Sequence, residues 1–220
     1  MKTIVVTSQK GGSGKTTVAA HLAVECERAG DGPAWLIDTD KQGTLSLWHE
    51  RRESESPQRA DVPFARLAEG LKMLEDGGAA YCLIDTPPTI SEQSETVLGL
   101  ADLVLIPVRP SPAYLWAVSE TVSLVKNAAR PFLFVITQAK AQAGITAQTI
   151  AALSEHGRVA RTFIADRVPY AMAMTGGRTA PELSPKSPAA LEVSALWLDV
   201  KSCFHEKMKA VKQVRSMLNG

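Results

Sequence analysis

The sequence has 220 residues and a mass of 23.6 kDa, enough chain for one domain with its own core, or two small ones at most. Hydrophobic residues make up 45% and charged residues 21%, which excludes a disordered, collagen-like or low-complexity chain. Lys and Arg total 24 against 23 Asp and Glu, so the whole is no polycation. Residues 1–100 carry 10 basic and 15 acidic side chains and residues 101–220 carry 14 and 8, so a polyanion contact is to be sought in the C-terminal half.

Short β-rich runs alternate with longer helical patterns. Thr3–Thr7 reads as the first strand, and the glycine-rich stretch 10–14 leads into a helix over Lys15–Ala29. A strand at Ala34–Asp38, a helix at Thr44–Arg52, a polar loop at Glu53–Pro57 and a helix at Arg66–Asp76 follow. Next come a strand at Tyr81–Asp85, a helix at Ser91–Leu100, a strand at Leu103–Val108 and a helix at Tyr114–Asn127. A strand at Phe132–Thr137, a helix at Thr146–Glu155 and a weaker strand pattern at Thr162–Ile164 follow. Gly176–Pro188 reads as an irregular connection, and the pattern is helical again over 189–218. The strands are nearly continuous apolar runs, as expected when both faces are covered by helices. The expectation is one α/β domain over residues 1–220: a doubly wound, mostly parallel sheet flanked by helices, with a basic helix over about 189–218 packed on it.

The three cysteines, Cys26, Cys82 and Cys203, are odd in number and far apart, which excludes a disulfide framework and a four-cysteine zinc site and fits reduced thiols in a cytoplasm. His21, His49, His156 and His205 are isolated and lack metal-ligand spacing. No signal peptide is recognisable, and no apolar run approaches the ~18 residues that span a bilayer.

The strongest chemical signal is Lys10-Gly11-Gly12-Ser13-Gly14-Lys15-Thr16-Thr17, placed between a strand and a helix as a P-loop must be. Glycines let the backbone curl so that its N–H groups face an anion, and the helix adds its positive dipole end. Lys15 is placed to reach β- and γ-phosphates, and the Thr16 hydroxyl to ligate Mg²⁺. The general P-loop pattern wants glycine at position 9, where this chain has Gln9, and instead Lys10 precedes the paired glycines.

That variant, K-G-G-x-G-K-(S/T)-T, is the deviant Walker A loop, and the chain resembles the ParA/MinD group of P-loop ATPases. The resemblance implies an ATP-dependent homodimer with ATP and Mg²⁺ sandwiched between protomers, Lys10 reaching the phosphates bound by the other subunit. Asp38-Thr39-Asp40-Lys41-Gln42-Gly43 resembles the family's switch I segment D-x-D-P-Q-G, with Lys41 in place of proline. On that basis Asp40 positions the attacking water and Asp38 is an outer-shell partner of Mg²⁺; a pair of capping aspartates before the Thr44 helix is the plainer alternative. Leu83-Ile84-Asp85-Thr86-Pro87-Pro88 reads as a Walker B strand running into switch II, with Asp85 holding Mg²⁺ through water. The nucleotide-binding set is then Gly11, Gly12, Ser13, Gly14, Lys15, Thr16 and Thr17, with Gln138 as a base contact and Asp166–Tyr170 near the base.

The later blocks look like the small, plasmid-type ParA subgroup, whose members lack an N-terminal helix-turn-helix; strand one starts at residue 3 here. This implies a cytoplasmic, nucleoid-associated DNA-segregation ATPase that binds non-specific DNA and is stimulated by a ParB-like activator. Lys201, Lys207, Lys209, Lys212 and Arg215, with Arg167 and Arg178, are the candidate DNA contacts. Two alternatives stay open. One is a positioner of protein cargo. The other, a minority reading, is a MinD-like membrane ATPase whose anchor would be the stripe Val200, Phe204, Met208, Val211 and Met217 or Leu218.

Overall fold

The computed structural model describes residues 1–88, 92–140 and 144–218, with side chains omitted for residues 92, 93 and 205–218. Six strands form one sheet: β1 (Lys2–Val6), β2 (Ala34–Asp38), β3 (Gln58–Arg59), β4 (Tyr81–Asp85), β5 (Leu103–Val108) and β6 (Phe132–Ile136). Their order is β3-β2-β4-β1-β5-β6, and every pairing is parallel. Nine α-helices surround it among the described residues: α1 (Lys15–Arg28), α2 (Thr44–Glu50), α3 (Leu67–Asp76), α4 (Glu92–Gly99), α5 (Pro112–Asn127), α6 (Gly144–Ser154), α7 (Val168–Thr175), α8 (Ala180–Leu183) and α9 (Pro188–Leu218).

The unbroken apolar strands are explained by two cores. Alternate residues of each strand point to opposite faces. Ile4, Val6, Leu36, Leu83 and Leu105 pack under α1, α2 and α9, whereas Val5, Ile37, Ile84, Val104 and Ile106 pack under α3, α4, α5 and α6. The parallel register aligns Val6 with Asp85, and Asp85 with Asp38, at the carboxyl ends of the strands. The loops after β1, β2 and β4 therefore leave from a single line, the place where ligands bind in open α/β sheets.

Two expectations are corrected here, and two further elements, β3 and α7, were not expected. Thr162–Ile164 is not a strand. Only isolated parallel bridges, Phe134 with Val159 and Ala139 with Ala165, run along β6, because Asp199 of α9 takes the Thr162 N–H at 3.1 Å that a ladder would have used. The two-residue strand β3 follows the polar loop and forms the sheet edge beside β2. The segment before the last helix contains α8, opened by a capping box in which Thr179 and Glu182 satisfy each other's backbone. Helix α7 was also unforeseen; Pro169 sits in its first turn. The start of the expected helix at Ser91 lies outside the described residues.

Helix α9 is 31 residues long. Its first half packs as expected: Val193, Leu196, Trp197, Val200 and Phe204 join the core beneath α1. Polar contacts tie the two helices together. Ser194 Oγ donates to Glu25 at 2.6 Å, and Trp197 Nε1 and Lys201 Nζ both donate to Asp31 at 2.7 Å. His21 links α1 to α8: its Nε2 accepts from the Ala180 N–H at 3.0 Å, so Nδ1 carries the proton and donates to the Thr17 carbonyl at 2.8 Å.

Burial lowers the His21 pKa from 6.5 to about 4, more than the Thr17 carbonyl and Glu182 raise it. Between those values the unfolded chain binds a proton that the folded chain refuses, so this residue removes stability as pH falls from 6.5 to 4. The expected outcome is that His21→Gln is less stable than the wild type at pH 7.5. The gap should close by up to about 3 kcal/mol as pH falls to 4.5, read from denaturant unfolding of both proteins across the range.

Candidate functional site

The P-loop follows β1 directly and opens α1. Gly12 and Gly14 adopt left-handed conformations, φ 73° and 92°, which glycine reaches at no steric cost. Gly14 is the N-cap of α1 and contributes no side-chain cap, so no side chain claims the first N–H groups of the helix. Three consecutive carbonyls of the loop are each held from outside by one side chain. Tyr114 of α5 donates to Gly11 O at 2.8 Å, Gln138 Nε2 to Gly12 O at 3.0 Å, and Thr137 Oγ1 to Ser13 O at 2.7 Å. Holding the carbonyls outward leaves the N–H groups for an anion.

Lys15 lies 8% exposed in the loop's own helix, and Lys10 is exposed at its rim. Burial lowers the Lys15 pKa, while Asp85 and Asp40 nearby oppose that shift. Asp85 is 1% exposed, and burial pushes its carboxyl up to about 7 despite the hydrogen bond from Thr16 Oγ1 at 2.5 Å on Oδ2. Its other oxygen, Oδ1, is buried without a hydrogen-bond partner among the described residues, as is Ser13 Oγ. A buried, unpartnered carboxylate oxygen beside a threonine hydroxyl is the environment a hard cation relieves. Among the described residues no cluster of three or more His, Cys, Asp or Glu could hold a metal by itself. Mg²⁺ fits that arrangement, because it keeps several waters and takes only one or two protein groups beside phosphate oxygens.

The aspartates after β2 divide their work. Asp38 Oδ1 accepts from the Asp40 N–H at 3.0 Å, and Oδ2 from the N–H and hydroxyl of Ser46 at 2.9 and 3.1 Å. Asp38 therefore caps the first turn of α2, as the plainer reading expected, and fixes the loop where Lys41 leaves out a proline. A carboxylate has about four lone-pair sites, so it can still accept from a metal-bound water. Among the described residues the Asp40 carboxylate accepts only from the Gln42 N–H, at 3.0 Å on Oδ1.

Beside the loop is a cavity of about 270 Å³. Gly14, Thr17, Gln138, Asp166, Arg167 and Tyr170 are among its lining residues, so the structure brings Gln138 and the Asp166–Tyr170 segment to one wall. Gln138 has φ 50°, uncommon for a residue with a side chain, and its amide is given to the P-loop. Glu192 of α9, not singled out from the sequence, holds this wall. It accepts from Arg167 Nε at 2.8 Å, the Tyr170 hydroxyl at 2.8 Å and the Ala165 N–H at 3.1 Å. Tyr114 and Thr137 were likewise missed, because nothing local in the sequence pairs them with residues more than 100 positions away.

Residues 4–181 match the family model described as the CobQ/CobB/MinD/ParA nucleotide binding domain. A protein named for maintenance of carboxysome distribution, from Halothiobacillus neapolitanus, is 29% identical over 57% of this chain and 59% of its own length. Protein ParA of Rhizobium radiobacter is 32% identical over 50% of each. The chain thus spans between half and three-fifths of the length of these curated relatives. Among solved structures, apo McdA from Cyanthece superposes with a TM-score of 0.75 at 22% identity, covering 91% of this chain and 99% of that one.

Two outcomes test the site. Thr137→Val keeps the shape but strips the donor from a buried carbonyl, so it should cost about 1–3 kcal/mol of stability. It should also weaken nucleotide binding, measured by calorimetric titration. Asp85 has a folded pKa raised above 3.8, so without divalent cation it removes stability as pH rises from about 4 through about 7. Asp85→Asn should therefore melt higher than the wild type at pH 8 in EDTA, and Mg²⁺ with nucleotide should raise its melting temperature less.

Proposed function

This chain belongs to the CobQ/CobB/MinD/ParA nucleotide-binding family, and we propose that within it the protein is a Mg²⁺-dependent ATPase of the ParA/MinD type that positions a cargo. The observation that carries this reading is a P-loop with two lysines in different settings. Lys15 is buried beside Asp85, while Lys10 is exposed at the rim and makes no hydrogen bond or ion pair among the described residues. A site that lacks a cationic finger of its own needs charge from a second subunit, and Lys10 is the group a twofold-related copy would supply. The P-loop N–H groups with Ser13, Lys15, Thr16 and Thr17 hold the phosphates. Thr16 and Asp85 would hold the metal, with Asp38 as their outer partner, and Asp40 would orient the attacking water. Bound Mg²⁺ neutralises phosphate charge that would otherwise repel these carboxylates. Turnover is slow until an activator completes the site.

The first reading of the cargo is plasmid or chromosomal DNA, with the ATP dimer on non-specific DNA and a ParB-like activator. Of the candidate DNA contacts, Arg167 pairs with Glu192, Arg178 with Glu53 and Lys201 with Asp31. The reading therefore leans on Lys207, Lys209, Lys212 and Arg215, whose side chains lie outside the described residues. A second reading, the same cycle applied to a protein assembly, is favoured by the match to a protein named for carboxysome distribution. A membrane anchor has less support. Val200 and Phe204, the start of the apolar stripe, are buried in the core.

Co-sedimentation with random-sequence DNA and with anionic liposomes, in ADP and in ATP at two salt concentrations, tests this. The expected result is salt-sensitive DNA binding only with ATP. Asp40→Ala should bind DNA and not release it, and Lys10→Ala should neither dimerise nor turn over ATP. ATP-dependent liposome binding without DNA binding would replace this reading with the membrane one.

A further inference from the structure

Helix α5 carries a side chain that its own chain does not explain. Trp116 is 79% exposed, whereas Trp48 and Trp197 are 2% and 1% exposed and Trp35 is half-buried. An indole in water is costly, and tryptophan is enriched where a surface is destined to be covered. Its position narrows what covers it. Two turns of α5 are fastened to the P-loop segment: Tyr114 bonds Gly11, and the Gln9 amide lies between the Glu120 carboxylate and the Thr121 N–H. Trp116 stands between them along the helix. Side chains of a helix lean toward its N-terminus, which for α5 is the end where β5 delivers the chain to the nucleotide site. Trp116 and Glu120, four residues apart, share one side of the helix, and Glu120 meets the Gln9 amide, so the indole lies on the side of α5 that runs past the residue before exposed Lys10.

The end of the sheet where these loops leave carries charge of both signs. Lys10 and Lys41 are exposed on the loops after β1 and β2, and Glu120 is exposed one turn beyond Trp116. A twofold contact joins a patch to itself, so it needs such mixed charge rather than a single sign.

We infer that Trp116 is an apolar anchor of the contact with a second copy of this chain, set beside the lysine that serves the partner's nucleotide. The inference rests on the sandwich-dimer reading above and adds a specific contact to it. ATP-driven pairing then removes Trp116 from water, while nucleotide binding by a single subunit leaves it exposed.

The test uses the full chain with Mg²⁺ and either ADP or a non-hydrolysable ATP analogue, as wild type, Trp116→Phe and Trp116→Glu. Sedimentation velocity reads pairing, acrylamide quenching reads the exposure of Trp116 as the difference between wild type and Trp116→Phe, and ADP titration reports an intact single-subunit site. Three results are expected. Wild type pairs with the analogue and not with ADP, and the Trp116 quenching constant falls at least twofold on pairing. Trp116→Glu raises the dimer dissociation constant at least tenfold, and Trp116→Phe raises it less. ADP affinity stays within twofold throughout.

A wild type that pairs while Trp116 stays fully quenchable, or a Trp116→Glu variant that pairs as the wild type does, overturns the anchor and leaves the dimer standing. Protection of Trp116 only on adding an activator protein, with pairing unchanged, overturns it in favour of that partner. A wild type that stays monomeric with the analogue overturns the dimer reading itself, and the anchor with it.

Discussion

A loop whose N–H groups converge on an anion must turn its carbonyls away, and those carbonyls need donors of their own. In a solvated turn water serves. Here the donors are Tyr114, Gln138 and Thr137, one for each of Gly11, Gly12 and Ser13. They come from α5 and from the residues just after β6, so the shape of the P-loop depends on β5 lying next to β1 in the sheet and β6 next to β5. Gln138 adopts φ 50° to reach its carbonyl. Such a conformation costs of order 1 kcal/mol or more, and it persists because the surrounding bonds over-determine it.

The other side of β1 supplies the opposite charge by the same logic of register. Because Val6, Asp85 and Asp38 are aligned across β1, β4 and β2, a carboxylate ending each of two neighbouring strands falls beside the P-loop whatever the loops do. Crowding them has a cost. Asp85 is buried, carries an unpartnered oxygen and is raised to about 7, while Lys15 is lowered by its own burial. A site that is electrostatically strained when empty gains more from ligand and metal than a relaxed one, because the binding groups need no rearrangement to meet them. Asp38 is taken up in capping α2, which leaves Asp40 the more lightly hydrogen-bonded of the pair.

What could be read in the sequence was whatever is local. The loop, the strand-end aspartates and the doubly buried strands are short patterns whose meaning is fixed by neighbours within a few residues, and the structure reproduces their elements. Fold class followed from the alternation alone. The carbonyl donors and Glu192 could not be read, since each acts on a segment that only the completed sheet or the docking of α9 brings near. Thr162–Ile164 looked like a strand and is not one because Asp199, 37 positions away, takes its N–H. Helix α8 was legible and passed over. Thr179 and Glu182 have capping-box spacing, and the glycines and prolines around them masked it.

The same long-range contacts decide how far an event at the P-loop can travel. Helix α1 begins at Lys15 and is tied along its length to the C-terminal part of the chain: His21 to α8, Glu25 to Ser194, and Asp31 just past its end to Trp197 and Lys201. A helix so bonded moves as one body with its partner or not at all, because packed interfaces are bistable rather than continuously deformable. Any shift of the loop that displaces α1 is therefore carried to α9. After Phe204 that helix continues to Leu218, a further length of about 20 Å, along which the sequence sets Lys207, Lys209, Lys212 and Arg215. The nucleotide site and the most basic stretch of the chain are thus at two ends of one braced pair of helices.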